Sequence, residues 1–503
     1  MKRGETLRRF NFHTDDSNLP RQGADPRNDN EFIESEIKRF LASERRRDML
    51  LGERYYEGEH DILHRKRQAI GEGGELEEVK NLPNNRIVDN QYKKMVDQKV
   101  NYFLGQPFAI QTGNDEYGEI LKTIFNRKFL RLLKNVGENS LNCGLGWKFI
   151  YYDDNGEFTF RRFKPYEVIA GWADDERTRL DYAIRIYEVI DNSTRDEKVI
   201  RKVEVYHSEG ISRFVFEDSR IKPDTEYPPI EPYFTIENDG YNWHRIPLIP
   251  FKYNTKEIPL VLNVKSLQDG LNTILSNFQN NMEEDSRNTI LVIVNYDGEN
   301  LGEFRKNLST YGAVKVRNEE GRSGGGVNAL QVEVNAENYK AILEIFKKAI
   351  IENAMGFDAK DDRMGSNANQ MNIKSMYSDI DLDTNKMETE YQASFEDLLY
   401  FVNLHLANAG IGNFEGENVE IIFNRDMLMN EGDVIQNIRN SLGILSDETL
   451  VAQHPFVEDV AAELERKKAE KRAAERLQYD GINPANNNKL VTNNPQSGAF
   501  SSY

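Results

Sequence analysis

An α+β fold is expected for this chain. Three observations predict it: apolar residues at helical spacing in the first hundred residues, β-type patterning from Phe149 to about Phe251, and long helical stripes over most of the remainder. The length of 503 residues corresponds to about three domains. An apolar share of 38% is low for a compact enzyme of this size, whereas 10% aromatic residues argue against disorder, so an elongated or oligomeric molecule is expected. Lys and Arg number 65 against 84 Asp and Glu, and the net charge of -19 excludes a surface that is basic over its whole extent. The single cysteine, Cys143, excludes an intrachain disulfide framework and a cysteine-based zinc site, and fits a reducing compartment. Residues 1–30 carry no secretory pattern and read as a flexible arm. No apolar run is long enough to span a bilayer, so a soluble protein without a membrane partner is expected.

Residues 31 to about 70 read as helical through Phe32, Ile33, Ile37, Phe40 and Leu41, and Gly71 to Gly74 end that pattern. A second helix is expected from Arg86 to Phe103 through Ile87, Met95, Val96, Val100 and Phe103, stopped by Gly105 and Pro107. Strands follow at Lys148–Tyr152, Phe158–Phe163, Tyr182–Val189, Val203–His207 and Arg213–Phe216, with a turn at Asn155-Gly156. Leu260, Val264, Leu267, Leu271, Ile274, Phe278 and Met282 then form one apolar seam, in which Gly270 is the weak link. An α/β insert comes next, with strands at Ile290–Val294, at Val314 and Val316, and at Leu330, Val332 and Val334, and a short helix around Phe304 and Leu308. Ile342, Ile345, Phe346, Ala349 and Ile350 mark a returning helix. After a polar loop, a helix with no breaker between Ser366 and Ala409 has a length on the order of 55 Å. A short strand at Val419–Phe423 and helices near Val434–Leu442, Asp447–Ala452 and Glu463–Leu477 complete the chain, with an Asn-rich end expected to be disordered.

No motif in this chain carries catalytic chemistry. Gly321-Arg322-Ser323-Gly324-Gly325 has the letters of a nucleophile elbow without the strand before it or the helix after it, and reads as a hairpin tip. Asp379, Asp381, Asp383 and Glu390 fall at calcium-loop spacing, but Thr384 stands where the sharp turn demands Gly, which places them on the long helix. His60 and His64 lack a third ligand and read as surface or capping residues. Gly144-Leu-Gly146 precedes a strand and lacks the third glycine of a dinucleotide loop. There is no Walker lysine motif, so an ATP-driven process would draw its hydrolysis from another chain. The basic runs 45–47, 65–67, 466–468 and 471–472 are short and read as solvated faces. No cofactor and no metal are implied.

The order of seam helix, α/β insert, returning helix, polar loop and very long helix resembles the stem, clip and channel-loop order of tailed-bacteriophage portal proteins. The stretches Asn84-Asn-Arg-Ile-Val88, Asp97-Gln-Lys-Val100, Gly105-Gln-Pro107, Ile246-Pro-Leu-Ile-Pro-Phe251, Asn295-Tyr-Asp-Gly298, Ser446-Asp-Glu-Thr-Leu450 and His454-Pro-Phe-Val457 look like the long-tailed siphophage branch, with about residues 50 to 470 covered. The resemblance implies a wing over 31–255 and 372–428, stem helices over 256–286 and 336–355, a clip over 287–335, a channel loop over 356–371, a helical crown over 429–480 and a disordered tail over 481–503. It implies stem packing by Leu267, Leu271, Ile274, Phe278, Ile342, Ile345, Phe346 and Ile350. It also implies a DNA-facing loop carrying Asp358, Lys360, Asp361, Asp362, Arg363, Asn367 and Asn369, and clip docking through Asn295, Tyr296, Asp297, Gly298 and Phe304.

The implied function is a non-enzymatic ring, typically of twelve subunits, at one capsid vertex, through which double-stranded DNA is packaged and later ejected. Its implied partners are the terminase motor, a head-to-tail adaptor, the major capsid and scaffolding proteins, and DNA without sequence specificity, in the virion and in the host cytoplasm during assembly. The strongly negative charge suits that role, since a duplex repelled from most of the ring slides, whereas a tightly held phosphate backbone stalls. A metal-dependent nuclease or phosphoryl-transfer enzyme using Asp379 and Asp383 is the alternative from another class. A virion adaptor that does not encircle DNA is a third.

Overall fold

The computed structural model describes residues 29–70, 74–78, 82–191, 198–236, 239–285, 290–294, 300, 302, 326–330, 336–358, 370–425, 431–454, 456–457 and 460–482. The chain divides into one unit of residues 1–358 with 377–426 and another of 359–376 with 427–503.

In the first unit, helices α1 (Asn30–Ala42) and α2 (Glu44–Tyr56) replace the single helix expected over 31–70. Ser43 divides them: it is extended, its N–H bonds back to Phe40, and its hydroxyl accepts from the Arg46 amide at 3.1 Å, a typical N-cap. A short 3-10 turn at Asp61–His64 and the paired strands β1 (Gln68–Ile70) and β2 (Leu76–Glu78) follow. Helix α3 (Gln91–Leu104) begins five residues later than the periodicity suggests, because Asn90 caps it and Arg86 to Asp89 run extended. Strand β3 (Ala109–Thr112) leads into α4 (Asp115–Ile124) and α5 (Arg127–Cys143). Gly144, at φ +85, closes α5 and turns the chain into the sheet, so the Gly144-Leu-Gly146 run is a helix stop.

Strands β4 (Leu145–Tyr152) and β5 (Phe158–Phe163) form the expected hairpin. They are followed by β6 (Val168–Trp172), β7 (Leu180–Asp191), β8 (Lys198–His207), β9 (Gly210–Glu217), β10 (Arg220–Pro223), the small pair β11 (Phe234–Ile236) and β12 (Asp239–Tyr241), and β13 (Leu248–Lys252). Two larger sheets result, one ordered β13-β4-β5 and an antiparallel meander β10-β9-β8-β7-β6. Along β4 the side chains alternate between two cores, as a strand buried on both faces requires. Ile150 belongs to an aromatic core with Phe129, Phe251, Tyr391 and Phe395, while Trp147 and Phe149 pack with Phe163 of β5 and with Tyr206 of the other sheet. On the far side of the meander, Phe32, Ile33 and Ile37 of α1 cover Ile184, Val203 and Val205.

Helix α6 (Val261–Asp285), the antiparallel pair β14 (Ile290–Val294) and β15 (Gly326–Leu330), helix α7 (Ala336–Asn353) and the 39-residue helix α8 (Gln370–Asn408) match the expected order. Strand β16 (Val419–Ile422) pairs with β3. The second unit contains α9 (Glu431–Asn440), α10 (Asp447–Ala452) and α11 (Val460–Ile482), with Lys467 of α11 3.0 Å from Asp447 of α10. The segment Gly321–Gly325, the strand residues Val314, Val316, Val332 and Val334, the helix around Phe304 and Leu308, and the Asn-rich end lie outside the described residues. Among the described residues, no helix is long and apolar enough to cross a membrane.

Candidate assembly surface and loop root

Helices α6 and α7 pack against each other at a point where α6 presents no side chain. A Cβ on Gly270 would lie 2.5 Å from Cε1 of Phe346, so the apparent weak link of the seam is the place where the ring needs room. Farther along, Phe278 and Tyr339 lie 4.8 Å apart, and Asn281 donates to the Tyr339 hydroxyl at 3.0 Å. Leu271 and Ile350 are fully buried, and Leu267, Ile274, Phe278 and Phe346 are half-buried. Ile342 and Ile345, three apart on one face of α7, are 41% and 64% exposed, and Met282 at the far end of the α6 seam is 50% exposed. The seam is thus covered at one end and bare at the other.

The opposite stripe of α6 is polar and buried: Gln268, Asn272, Ser276 and Asn280 are each spaced by four. The extended segment before α3 lies antiparallel along it. The amides of Asn85, Ile87, Asp89 and Tyr92 donate to Asn280 (2.7 Å), Ser276 (2.9 Å), Asn272 (3.0 Å) and Gln268 (3.0 Å), and Gln268 returns a bond to the Asp89 carbonyl at 2.8 Å. Four helical residues rise about 6 Å and two extended residues span about 6.6 Å, so the alternate amides of Asn85, Ile87 and Asp89 meet successive turns, and Tyr92 in the first turn of α3 meets the next. Here the buried acceptors replace a sheet partner for the strap. Asn272 also donates to Nδ1 of His60, whose Nε2 donates to the Tyr55 carbonyl at 3.0 Å while its ring stacks on Tyr55 at 4.4 Å. His60 is therefore a buried histidine and not a surface residue. Burial holds its pKa down, which suits the neutral ring these bonds require. His64 is exposed.

Where α7 ends, the backbone at Met355 enters the left-handed region at φ +50, and a Cβ on Gly356 would lie 2.6 Å from the Met95 sulfur. Gln98 of α3 holds the next residue at both ends: its Oε1 accepts from the Phe357 amide at 2.8 Å, and its Nε2 donates to the Phe357 carbonyl at 2.7 Å. Lys99 donates to the Met355 carbonyl at 3.0 Å and to Asp383 of α8 at 2.6 Å, and Tyr253 donates to the same carboxylate at 2.7 Å. Desolvation lowers the Lys99 pKa, and the adjacent Asp383 opposes that shift. Phe357 stacks on Tyr377 at 4.3 Å, and Tyr377 on Tyr102 at 5.5 Å. Tyr102 donates to Asp381, which also pairs with Arg425 at 2.6 Å.

Of the sequence-predicted loop residues, Asp358 directly follows this root, whereas Lys360, Asp361, Asp362, Arg363, Asn367 and Asn369 lie outside the described residues, as do Asn295, Tyr296, Asp297, Gly298 and Phe304 of the predicted clip. Sequence reasoning missed Gln98, Lys99 and Tyr102, and also the polar stripe on α6, although its spacing of four was a readable signal.

A family model described as "Phage portal protein, SPP1 Gp6-like" matches residues 42–477. The chain belongs to that family. The portal protein of Bacillus phage SPP1 is 26% identical over 93% of this chain and 92% of its own length, and that of Clostridium phage phiCD119 is 25% identical over 83% and 91%. A chain in the solved neck of an empty GTA particle superposes at a TM-score of 0.39 with 11% identity, covering 72% of this chain and 88% of that one. The portal is a structural, non-enzymatic component of the phage virion, a ring-forming assembly at the capsid vertex through which DNA is packaged and later ejected. Within the portal subunit, one of the two carboxylates of the nuclease reading is already paired. Asp383 is neutralised by Lys99 and bonded by Tyr253, while Asp379, one turn away, is exposed.

Portal assembly gives the Gly270 contact a measurable consequence. Gly270→Val inserts a branched side chain against the Phe346 ring and is expected to destabilise the α6–α7 pair by about 1–3 kcal/mol. Rings counted by native mass spectrometry are expected to fall steeply, and an undiminished ring population would show that the two helices do not need this close approach.

Proposed function

We propose that this portal chain assembles as a ring of twelve copies. In this reading α6 and α7, within stem segments 256–286 and 336–355, line up beside those of neighbouring copies, and residues 31–255 and 372–428 form the outer wing. Residues 287–335 form the clip, where Asn295, Tyr296, Asp297, Gly298 and Phe304 meet the packaging motor and later the head-to-tail adaptor, and residues 429–480 form the crown. Residues 356–371 face the DNA, with Lys360 and Arg363 making sparse contacts among Asp358, Asp361, Asp362, Asn367 and Asn369. A partner terminase hydrolyses the ATP, and assembly with scaffolding and major capsid proteins takes place in the host cytoplasm.

The observation that carries this reading is the bare apolar face of α7. Ile342 and Ile345 remain exposed although the same helix packs tightly through Phe346 and Ile350, and a neighbouring subunit supplies the missing cover. Charge supports the DNA assignment. With -19 on each copy, a duplex is repelled from most of the ring, and brief contacts at a mixed-charge loop can be made and broken as it moves. Deleting part of 359–369 is expected to leave ring formation intact while most heads remain unfilled. Normal DNA filling by such rings would refute the channel assignment.

A further inference from the structure

We propose that Gln98, with Lys99 and Tyr102 beside it, is a positioning residue for the DNA-facing loop: one helix, α3, clasps the first root of that loop and the second turn of the helix that follows it, and ties them to the stem. The proposal rests on the channel assignment of 356–371 made above. At the first root, the Gln98 amide spends both its donor and its acceptor on a single residue, Phe357, in the manner of a strand partner. Lys99 holds the residue two before it, where a non-glycine backbone stands in the left-handed region. Such a conformation persists only when its surroundings impose it. In the second turn of α8, Tyr377 is sandwiched between Phe357 and Tyr102, and Tyr102 also reaches Asp381 one turn farther along. The first end of the loop and the early turns of α8 therefore rest on three side chains of α3, at positions 98, 99 and 102.

The same helix begins at the strap bonded to the polar stripe of α6, and Lys347 of α7 reaches Asp89 of that strap at 2.8 Å. A force on the loop passes to α3, and from α3 to both stem helices, without relying on the loop itself. Core packing alone does not account for this arrangement. Gln98 is half-buried, and a side chain selected only to fill space does not pair both polar ends of its amide with one backbone unit; an apolar residue of the same length would fill the site equally well.

The test uses full-length rings carrying Gln98→Ala, Gln98→Met or Gln98→Glu, with Lys94→Ala on the same helix as control. Hydrogen–deuterium exchange is read on the peptide covering 354–358, and DNA filling is read in heads built with each ring. Ala and Met are both expected to speed exchange of the Phe357 amide roughly tenfold, the loss of about one net hydrogen bond, with exchange in α6 and α7 unchanged. Glu keeps the acceptor and loses the donor, so its rate is expected to lie between those of Gln and Met. Unchanged exchange in Gln98→Met rings overturns the clasp, because volume would then suffice. Faster exchange with reduced filling supports the clasp and its role. Faster exchange with normal filling overturns the positioning role, whereas failure of the channel assignment itself is read from the loop deletion described above. Should Gln98→Ala fail to assemble, the near-isosteric Met and Glu variants still decide.

Discussion

Glu257→Ala is expected to lose about 3–5 kcal/mol of stability, the cost of stranding buried charges whose partner has been removed. Glu257 is 4% exposed and sits in the turn between β13 and α6. Three cations from three places converge on its carboxylate: Arg45 of α2, Arg177 of the loop between β6 and β7 at 3.1 Å, and Lys252 at the end of β13 at 3.7 Å. Burial alone would raise the carboxyl pKa, but Arg45, Arg177 and Lys252 together outweigh it and hold the group below its ordinary value. The unfolded chain therefore takes up this proton at a higher pH than the folded one. The contribution is fully present above the ordinary carboxylate pKa of about 4.3 and is lost as pH falls through the lower folded value. Urea melts at pH 7 should show the loss, and Glu257→Gln should lack the wild-type acid-sensitive step near pH 4 and below. Equal midpoints for wild type and Glu257→Ala at pH 7 would show that the cluster is a solvated coincidence. Because the turn sets where α6 leaves the sheet, assembly should weaken along with folding.

How far the sequence discloses this molecule depends on the range over which each interaction acts. Helices α6, α7 and α8 and strands β4, β5, β7, β8 and β9 are legible because periodicity is a local signal, written wherever one face of an element is buried. Helix α5 is legible on the same grounds, since Phe129, Leu133 and Val136 share a face and Asn126 caps it, yet the sequence reading assigns no helix or strand between Phe108 and Cys143. The break at Ser43 is a capping event inside an otherwise continuous apolar pattern, and periodicity does not register caps. The strap from Asn84 to Asn90 is read from sequence as the start of a helix through Ile87, because its actual hydrogen-bond partners are side chains on α6, almost two hundred residues away. The same distance hides Lys99 and Asp383, and it hides the core position of His60. Portal identity was legible where chemistry was not, since the order of elements survives along the chain while the pairs that hold the loop root are made only on folding.

Lys148→Met is expected to stabilise the chain, most strongly at low pH. Lys148 occupies an inward position on β4, fully buried, and its amine has no hydrogen-bond partner. Its surroundings are aromatic, with Nζ 3.5 Å from the Phe129 ring centroid, 5.0 Å from that of Phe251 and 5.6 Å from that of Phe160. Ring faces attract a cation, but they return less than water does once the amine is fully desolvated, and desolvation drives the pKa well below its ordinary value. Methionine keeps the length, places a thioether among the same rings, and removes a buried donor whose unmet bonding costs about 1–3 kcal/mol. Between the depressed folded pKa and the unfolded value of about 10.4, the unfolded chain binds more protons than the folded one, so wild-type stability rises with pH by up to about 1.4 kcal/mol per unit. The variant lacks that slope. Its advantage should therefore shrink steadily in melts taken from pH 7 to pH 9.5. A wild type more stable than Lys148→Met across that range would mean that the aromatic cage holds the charged form well enough to compensate for its burial.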